Sequence, residues 1–108
     1  AVGCTIPIVR SSTMGIASSS TQRLVEIVRA LGGTSYLSGA HALQAYLDPT
    51  IFQQNQMGLQ LFDWNCPAYP QLHGEFVGNL AALDALFHLG PEATRELAMQ
   101  GGQIRDYA

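Results

Sequence analysis

The chain has no lysine. A Schiff-base nucleophile and a Walker-type phosphate loop both depend on that amine, so neither is available. Charge of either sign is scarce: five arginines stand against four aspartates and four glutamates, a formal charge of −3 with the three histidines neutral. The arginines are scattered, so the clustered cations of a nucleic-acid face are missing and no nucleic-acid partner is expected. Cysteine is nearly absent as well. Cys4 and Cys66 do not make a disulfide framework in an oily chain, which reads as reduced thiols in the cytoplasm. No apolar run reaches the length of a membrane span, and no secretion signal is visible. The histidines at 41, 73 and 88 lie at no ligand-type spacing, so neither a metal ion nor another cofactor is expected. Cys66, beside Pro67, has no histidine at a telling distance and makes a poor thiol nucleophile.

What is present is apolar content, at 47% of 108 residues, enough for one domain over 1–108 with a real core. "CTIPIV" (4–9) is a short β-branched run that reads as an edge strand despite Pro7. "SSSTQRLVEIVRALGG" is a strongly signalled helix, capped by Ser19 or Ser20, with Leu24, Val25, Ile27, Val28 and Leu31 on its apolar face and Gly32 as its stop. "TSYLS" (34–38) is a second strand, running through Gly39 into "AHALQAYL". Asp48 caps a further helix with Pro49 at its first position and Gly58 just past its end. "LQLFDW" (59–64) is a third strand, with Leu59 and Leu61 opposite Phe62 and Trp64, all read as core. Asn79 then caps "LAALDALFHL", Gly90 closes it, Pro91 opens "EATRELAMQ", and "GGQIRDYA" reads as a tail. Strands alternating with helices predict an α/β fold with a mostly parallel sheet and helical crossovers.

Ligands of such sheets collect outside the carboxyl ends of the strands. Here those ends carry Arg10, Ser11 and Ser12; then Ser38 and Gly39 with His41 one turn on; then Asp63 and Asn65. Polar residues follow strands wherever a loop meets water, but three such clusters at one edge favour a site. Ser38-Gly39 is the sharpest, because glycine lets a backbone approach a ligand closely.

"TQRLVEIVRALGGTSYLSG", "AYLD" and above all "YPQLHGEFVGNLAALDALFHLGPEA" (69–93) resemble the WbqC-like protein family, found among bacterial surface-polysaccharide gene clusters. The likeness runs through Tyr36 to Gly39, Tyr46 to Asp48, Tyr69, Pro70, Gln71, Gly74, Phe76, Val77, Asn79, Leu80, Leu83, Asp84, Phe87, Gly90 and Pro91. Gly78 stands where the family usually has Pro, Ala81 where it often has Ser, and His88 where Asn is usual. Family members carry a front half, with a His-Gln-Pro segment, that this sequence lacks. The resemblance therefore implies the C-terminal half of such a protein and an incomplete Rossmann-like domain. It also implies glycine or aminoacyl-type transfer onto a sugar, with a nucleotide-bearing donor among the possibilities.

Within 69–93, Asp84 and His88 are the polar residues between Asn79 and Gly90, four apart on one face. Either they form an exposed stripe, or Asp84 orients a ligand or a loop group. His73 and Glu75 flank Gly74 and could act as base and acid beside Asp84. Tyr69 and Gln71 suit a loop whose ring and amide line a pocket. Two functions follow. In the first, Ser38, Gly39, His41, Asp63, Tyr69, Gln71 and Asn79 bind a small-molecule sugar or nucleotide-linked donor for a transferase. In the second, the chain is a non-catalytic binding or assembly module, a separated half that needs its partner chain or a second copy.

Overall fold

The apolar stripe from Leu24 to Val28 forms helix α1 (Ser20–Ala30) in a computed structural model that describes residues 2–107. Ser19 occupies the N-cap position in extended conformation, but its hydroxyl makes no capping bond. Instead Ser18 Oγ and Gln22 Nε2 donate to the Glu26 carboxylate at 2.7 and 3.1 Å, and these donors hold the Glu26 carboxyl below its usual range. The end is chemically explicit. Gly33 N–H donates to Val28 O and Gly32 N–H to Arg29 O, a Schellman arrangement that needs the left-handed φ of 74° at Gly32.

Among the described residues the chain forms three strands and five α-helices, divided between two compact units. The larger unit comprises residues 8–63 together with the C-terminal stretch from Gln103. Its strands β1 (Ser35–Gly39) and β2 (Gly58–Trp64) are parallel, in register from Ser35 opposite Gly58 to Gly39 opposite Phe62. The crossover between them carries helices α2 (Ala42–Ala45) and α3 (Pro49–Gln54), the latter capped by Asp48, which accepts from Thr50 N at 2.9 Å. Alternation on β2 turns Leu59 and Leu61 inward, where they meet Val25, Leu47, Phe52 and Met57 in one apolar core. Thr21 is buried in α1 beside that core. Its hydroxyl donates to Tyr46 O and accepts from Asp48 N at 3.0 Å, so one side chain ties α1 to the crossover.

Several expectations are corrected. Residues 4–9 form no strand: Ile6 and Ile8 are 72% and 91% exposed, and Pro7 removes a ladder donor. Helix α3 stops at Gln54, and Gly58 opens β2 rather than trailing the helix. Phe62 and Trp64 lie at the accessible face of their strand. The expected tail is strand β3 (Gly102–Asp106), third in the sheet order β1-β2-β3. Asp63 pairs with Arg105, Gln60 with Asp106 and Leu59 O with Tyr107 N–H, so β3 runs antiparallel to β2. The fold is thus mixed α/β with one parallel pair.

The smaller unit comprises residues up to Pro7 together with 64–102. In it α4 (Ala82–Leu89) and α5 (Pro91–Gly101) pack on each other, joined by Gly90 alone. Asn79 does not cap α4. Ala81 holds that position, and Asn79 sits upstream in left-handed conformation with its Oδ1 accepting from Trp64 Nε1 at 3.0 Å. The oily sequence of α4 is only partly buried: Ala85 is inside, whereas Leu83 and Phe87 are 60% and 83% exposed. Gly101 packs its α-carbon against Trp64 and Pro67 so closely that a Cβ would collide with both.

Thr21→Val keeps the shape of the side chain and strands the Asp48 amide and the Tyr46 carbonyl. Denaturant titration should show a loss of roughly 1–3 kcal/mol. Val at exposed Thr13, a 3-10 turn residue, should cost far less.

Candidate functional site

The 69–81 segment has no helical or sheet ladder to fix it, so side chains do that work. Tyr69 is 9% exposed and donates its hydroxyl to Asp84 Oδ2 at 2.5 Å. Gln71 Nε2 donates to the same oxygen at 3.1 Å and also to Val77 O at 3.0 Å. Its Oε1 accepts from Val77 N at 3.0 Å, so the amide closes residues 71–77 into a loop and fastens that loop to α4. The Asp84 to Gln71 bond requires an acceptor at Oδ2, and the Val77 pair fixes which way the amide is turned.

His88 supplies the second anchor. Leu72 N–H donates to its Nε2 at 3.2 Å, and its Nδ1 lies 2.7 Å from Asp84 O. An amide can only donate, so Nε2 is the acceptor and the ring proton sits on Nδ1, directed at the Asp84 carbonyl. Asp84 Oδ1 lies 3.5 Å from the same Nδ1. The Asp84 side chain is 28% exposed, and Oδ1 is its lightly engaged oxygen, with lone pairs able to take a proton from a hydroxyl. The carboxylate also acts on Tyr69. Accepting the phenol's hydrogen bond raises the phenol above its ordinary range, with burial adding to the effect and Gln71 opposing it. The hydroxyl therefore stays a donor at neutral pH. The sign follows: a raised phenol contributes stability that is complete below the ordinary tyrosine value and is lost as pH climbs through the raised one.

Tyr69 also forms part of the wall of an open hollow of about 190 Å³ in the same unit. Trp64, Cys66, Asn79, Leu80 and Thr94 contribute to that wall, with four alanines and Leu97 between them. Thus Tyr69, Gln71, Asn79 and Asp84 fall in one neighbourhood. His73 and Glu75 are in the loop too, but both are exposed, and among the described residues no side-chain hydrogen bond orients either.

The remaining expected residues belong to the larger unit. Ser38 and Gly39 end β1, and with His41, Ala42, Ala45 and Tyr46 they line a shallow surface depression at the carboxyl edge of the parallel pair. Asp63, near the same edge on β2, is held by Arg105 Nε at 2.5 Å in an exposed ion pair. Such a pair adds only about 0–1 kcal/mol to stability, but it occupies the carboxylate. Among the described residues no three His, Cys, Asp or Glu side chains gather where one metal ion could be held. Sequence reasoning did not find the Leu72–His88 bond, the Gln71 clamp on Val77 or the Trp64–Asn79 bond. Each joins a side chain to a group whose position depends on the folded path of the loop.

The model of the WbqC-like protein family matches residues 1–96. The chain is 33% identical over 79 residues to the "Uncharacterized protein Rv1507c" of Mycobacterium tuberculosis (strain ATCC 25618 / H37Rv), a match covering 72% of this chain and 34% of that protein. The chain therefore spans about a third of the length of that curated relative. No solved structure matches it. The chain belongs to the WbqC-like protein family.

Asp84→Asn leaves one oxygen to accept from Tyr69 and Gln71 but removes the charge that strengthens both bonds, and it places an amide donor where Oδ1 faces His88 Nδ1. It should lower stability by roughly 1–3 kcal/mol. In an alkaline absorbance titration one late-ionising tyrosine should move earlier. Burial raises Tyr36 as well, so Tyr69→Phe identifies the phase that belongs to Tyr69. A separate variant pair reads the His88 anchor. His88→Leu should speed amide exchange at Leu72 roughly five-fold or more, as expected from about 1 kcal/mol for a lost hydrogen bond. His88→Asn, which can accept and donate at once, should leave that exchange near its starting rate.

Proposed function

We propose that this chain, as a member of the WbqC-like family, is part of a transferase that moves a glycyl or aminoacyl-type group from an activated donor onto a sugar in bacterial surface-polysaccharide biosynthesis. The observation that carries the reading is the Asp84 carboxylate on a side chain that is 28% exposed, with one oxygen oriented by Tyr69 and Gln71 and the other engaged only by His88 Nδ1 at 3.5 Å. In the transfer the sugar hydroxyl oxygen bonds to the acyl carbon while the bond from that carbon to the donor's leaving group breaks. The leaving group departs with the electron pair, and the hydroxyl proton passes to Asp84 Oδ1. Tyr69 and Gln71 hold the carboxylate in place through that step, and Asn79 stands at the hollow where the acyl part is received. His73 and Glu75, exposed on the loop, serve as contacts for the sugar or the nucleotide-linked donor rather than as the base. Ser38, Gly39 and His41 form a further contact surface at the strand ends.

The larger unit is the partial sheet of a Rossmann-like domain whose remaining strands come from elsewhere in the complete protein. A second reading, a non-catalytic assembly module in the same pathway, draws its support from the exposed Leu83 and Phe87 of α4 and from the third of the relative's length that the chain spans. On either reading a partner chain or a second copy covers apolar surface.

The test is transfer itself. Sugar acceptors and glycyl or aminoacyl donors are incubated with the chain, alone and joined to the sequence that relatives carry beyond this stretch, and product mass is read. Transfer should occur in the joined form and fall by a factor of about 10²–10⁴ with Asp84→Asn. Equal transfer by the variant would remove Asp84 as the base, and no transfer by the joined form would leave the assembly reading.

A further inference from the structure

The hollow beside Tyr69 has a particular chemistry. Leu80, Ala82, Ala85, Leu97 and Ala98 give it apolar walls, and the Trp64 indole forms another side. The polar side chains on the wall spend their hydrogens inside the protein. Trp64 Nε1 donates to Asn79 Oδ1, Tyr69 Oη to Asp84, Thr94 Oγ1 to Gly90 O at 2.7 Å, and the Cys66 thiol to Pro67 O at 3.7 Å. A sugar ring placed there would lose water from its hydroxyls and find few replacements, each unmatched hydroxyl costing about ten-fold in affinity. An alkyl group meets no such cost.

Asn79 is the exception. The indole N–H can only donate, so the oxygen of the Asn79 amide faces Trp64, and Nδ2 is left without a protein acceptor among the described residues. We infer that the hollow binds the hydrocarbon body of an acyl group of several carbons, with Asn79 Nδ2 donating to its carbonyl oxygen. The inference rests on the transfer reading for its choice of an acyl ligand, and it narrows that reading. A glycyl group leaves the hollow empty, whereas an aminoacyl group with an apolar side chain, or a short fatty acyl group, fills it. The alanines at 82, 85 and 98 keep the space open; a larger side chain at any of them would occupy it.

Trp64 is the chain's single tryptophan and belongs to the wall, so its fluorescence reports occupancy directly. The probes are N-methyl alkanamides from acetyl to octanoyl, titrated into the intact chain, with glycinamide and glucose as comparison ligands. Affinity should rise roughly four-fold per added methylene until the hollow is full, and both comparison ligands should bind far more weakly. Affinity that is flat with chain length, or glucose binding as well as the octanoyl amide, would overturn the inference. Ala98→Leu, at an exposed helical position, should weaken the longest amide ten-fold or more with an unchanged melting midpoint. Ala82→Leu provides the same test should the first variant melt early, and undiminished binding in a folded variant counts against the assigned hollow. Asn79→Asp keeps the oxygen that Trp64 needs and removes the Nδ2 donor. It should abolish the preference for an amide over the alcohol of equal length; a retained preference would refute the carbonyl contact. The two readings separate cleanly. Glycyl transfer without chain-length dependence would sink this inference alone, and alkyl binding without any transfer would sink the transfer reading alone.

Discussion

A single carboxylate organises the smaller unit. Residues 70–80 make no backbone–backbone hydrogen bond among the described residues, so nothing in their main chain selects one conformation. Asp84, in the first turn of α4, supplies what the backbone lacks by accepting from Tyr69 and Gln71 together. Gln71 then clamps Val77 from both sides, and His88, one turn further along the same helix, takes the Leu72 amide. The loop is thus held by the face of a helix that is itself stabilised by packing on α5. The spacing of four residues between Asp84 and His88 is what places both anchors on that face.

The same constraint shapes the chemistry available beside it. Tyr69 joins two environments, its hydroxyl committed to Asp84 and its ring contributing to a hollow with largely apolar walls. Its ring also meets Phe76 edge-on at a centroid distance of 5.2 Å, so the loop covers the tyrosine that fastens it. A carboxylate with one lightly engaged oxygen and an adjoining apolar recess suit a ligand with one polar reacting group and one hydrocarbon part. Alanine at four positions of the wall is as necessary to that recess as any polar residue, because each larger side chain would fill it.

The larger unit follows a different logic. Its core depends on the parallel register of β1 and β2, which turns Leu59 and Leu61 to the inside, and on Thr21, a buried polar group satisfied from both directions. A threonine among apolar neighbours is stable only because Tyr46 O and the Asp48 amide meet its hydroxyl. The Asp63–Arg105 and Gln60–Asp106 pairs fasten β3 along the outer side of β2.

Much of this was legible in the residues. The period of α1, its glycine stop, the Asp48-Pro49 helix start and the alternation of 59–64 are short-range signals, and each survives folding because no distant group competes with it. The resemblance carried by 69–93 identified the family, and within that run Asp84 and His88 stand out as polar residues in an otherwise apolar helix. Other features depended on partners far along the chain. "CTIPIV" has the composition of a strand, but a strand exists only where another offers it a ladder. "GGQIRD" reads as a tail until the free edge of β2 pairs with it. Asn79 has the side chain of a helix cap, yet the Trp64 indole takes its oxygen and α4 begins three residues later. The sequence by itself determined the local helices and the spacing of Asp84 and His88, because those follow from periodicity and from bonds within one turn, and the alternation of strands with helices pointed to a parallel pair. Only the tertiary structure decided which donors reach the Asp84 carboxylate, which nitrogen of His88 carries the proton and where the apolar hollow lies. Those depend on contacts between groups 13 to 16 residues apart in a loop that has no regular backbone geometry of its own.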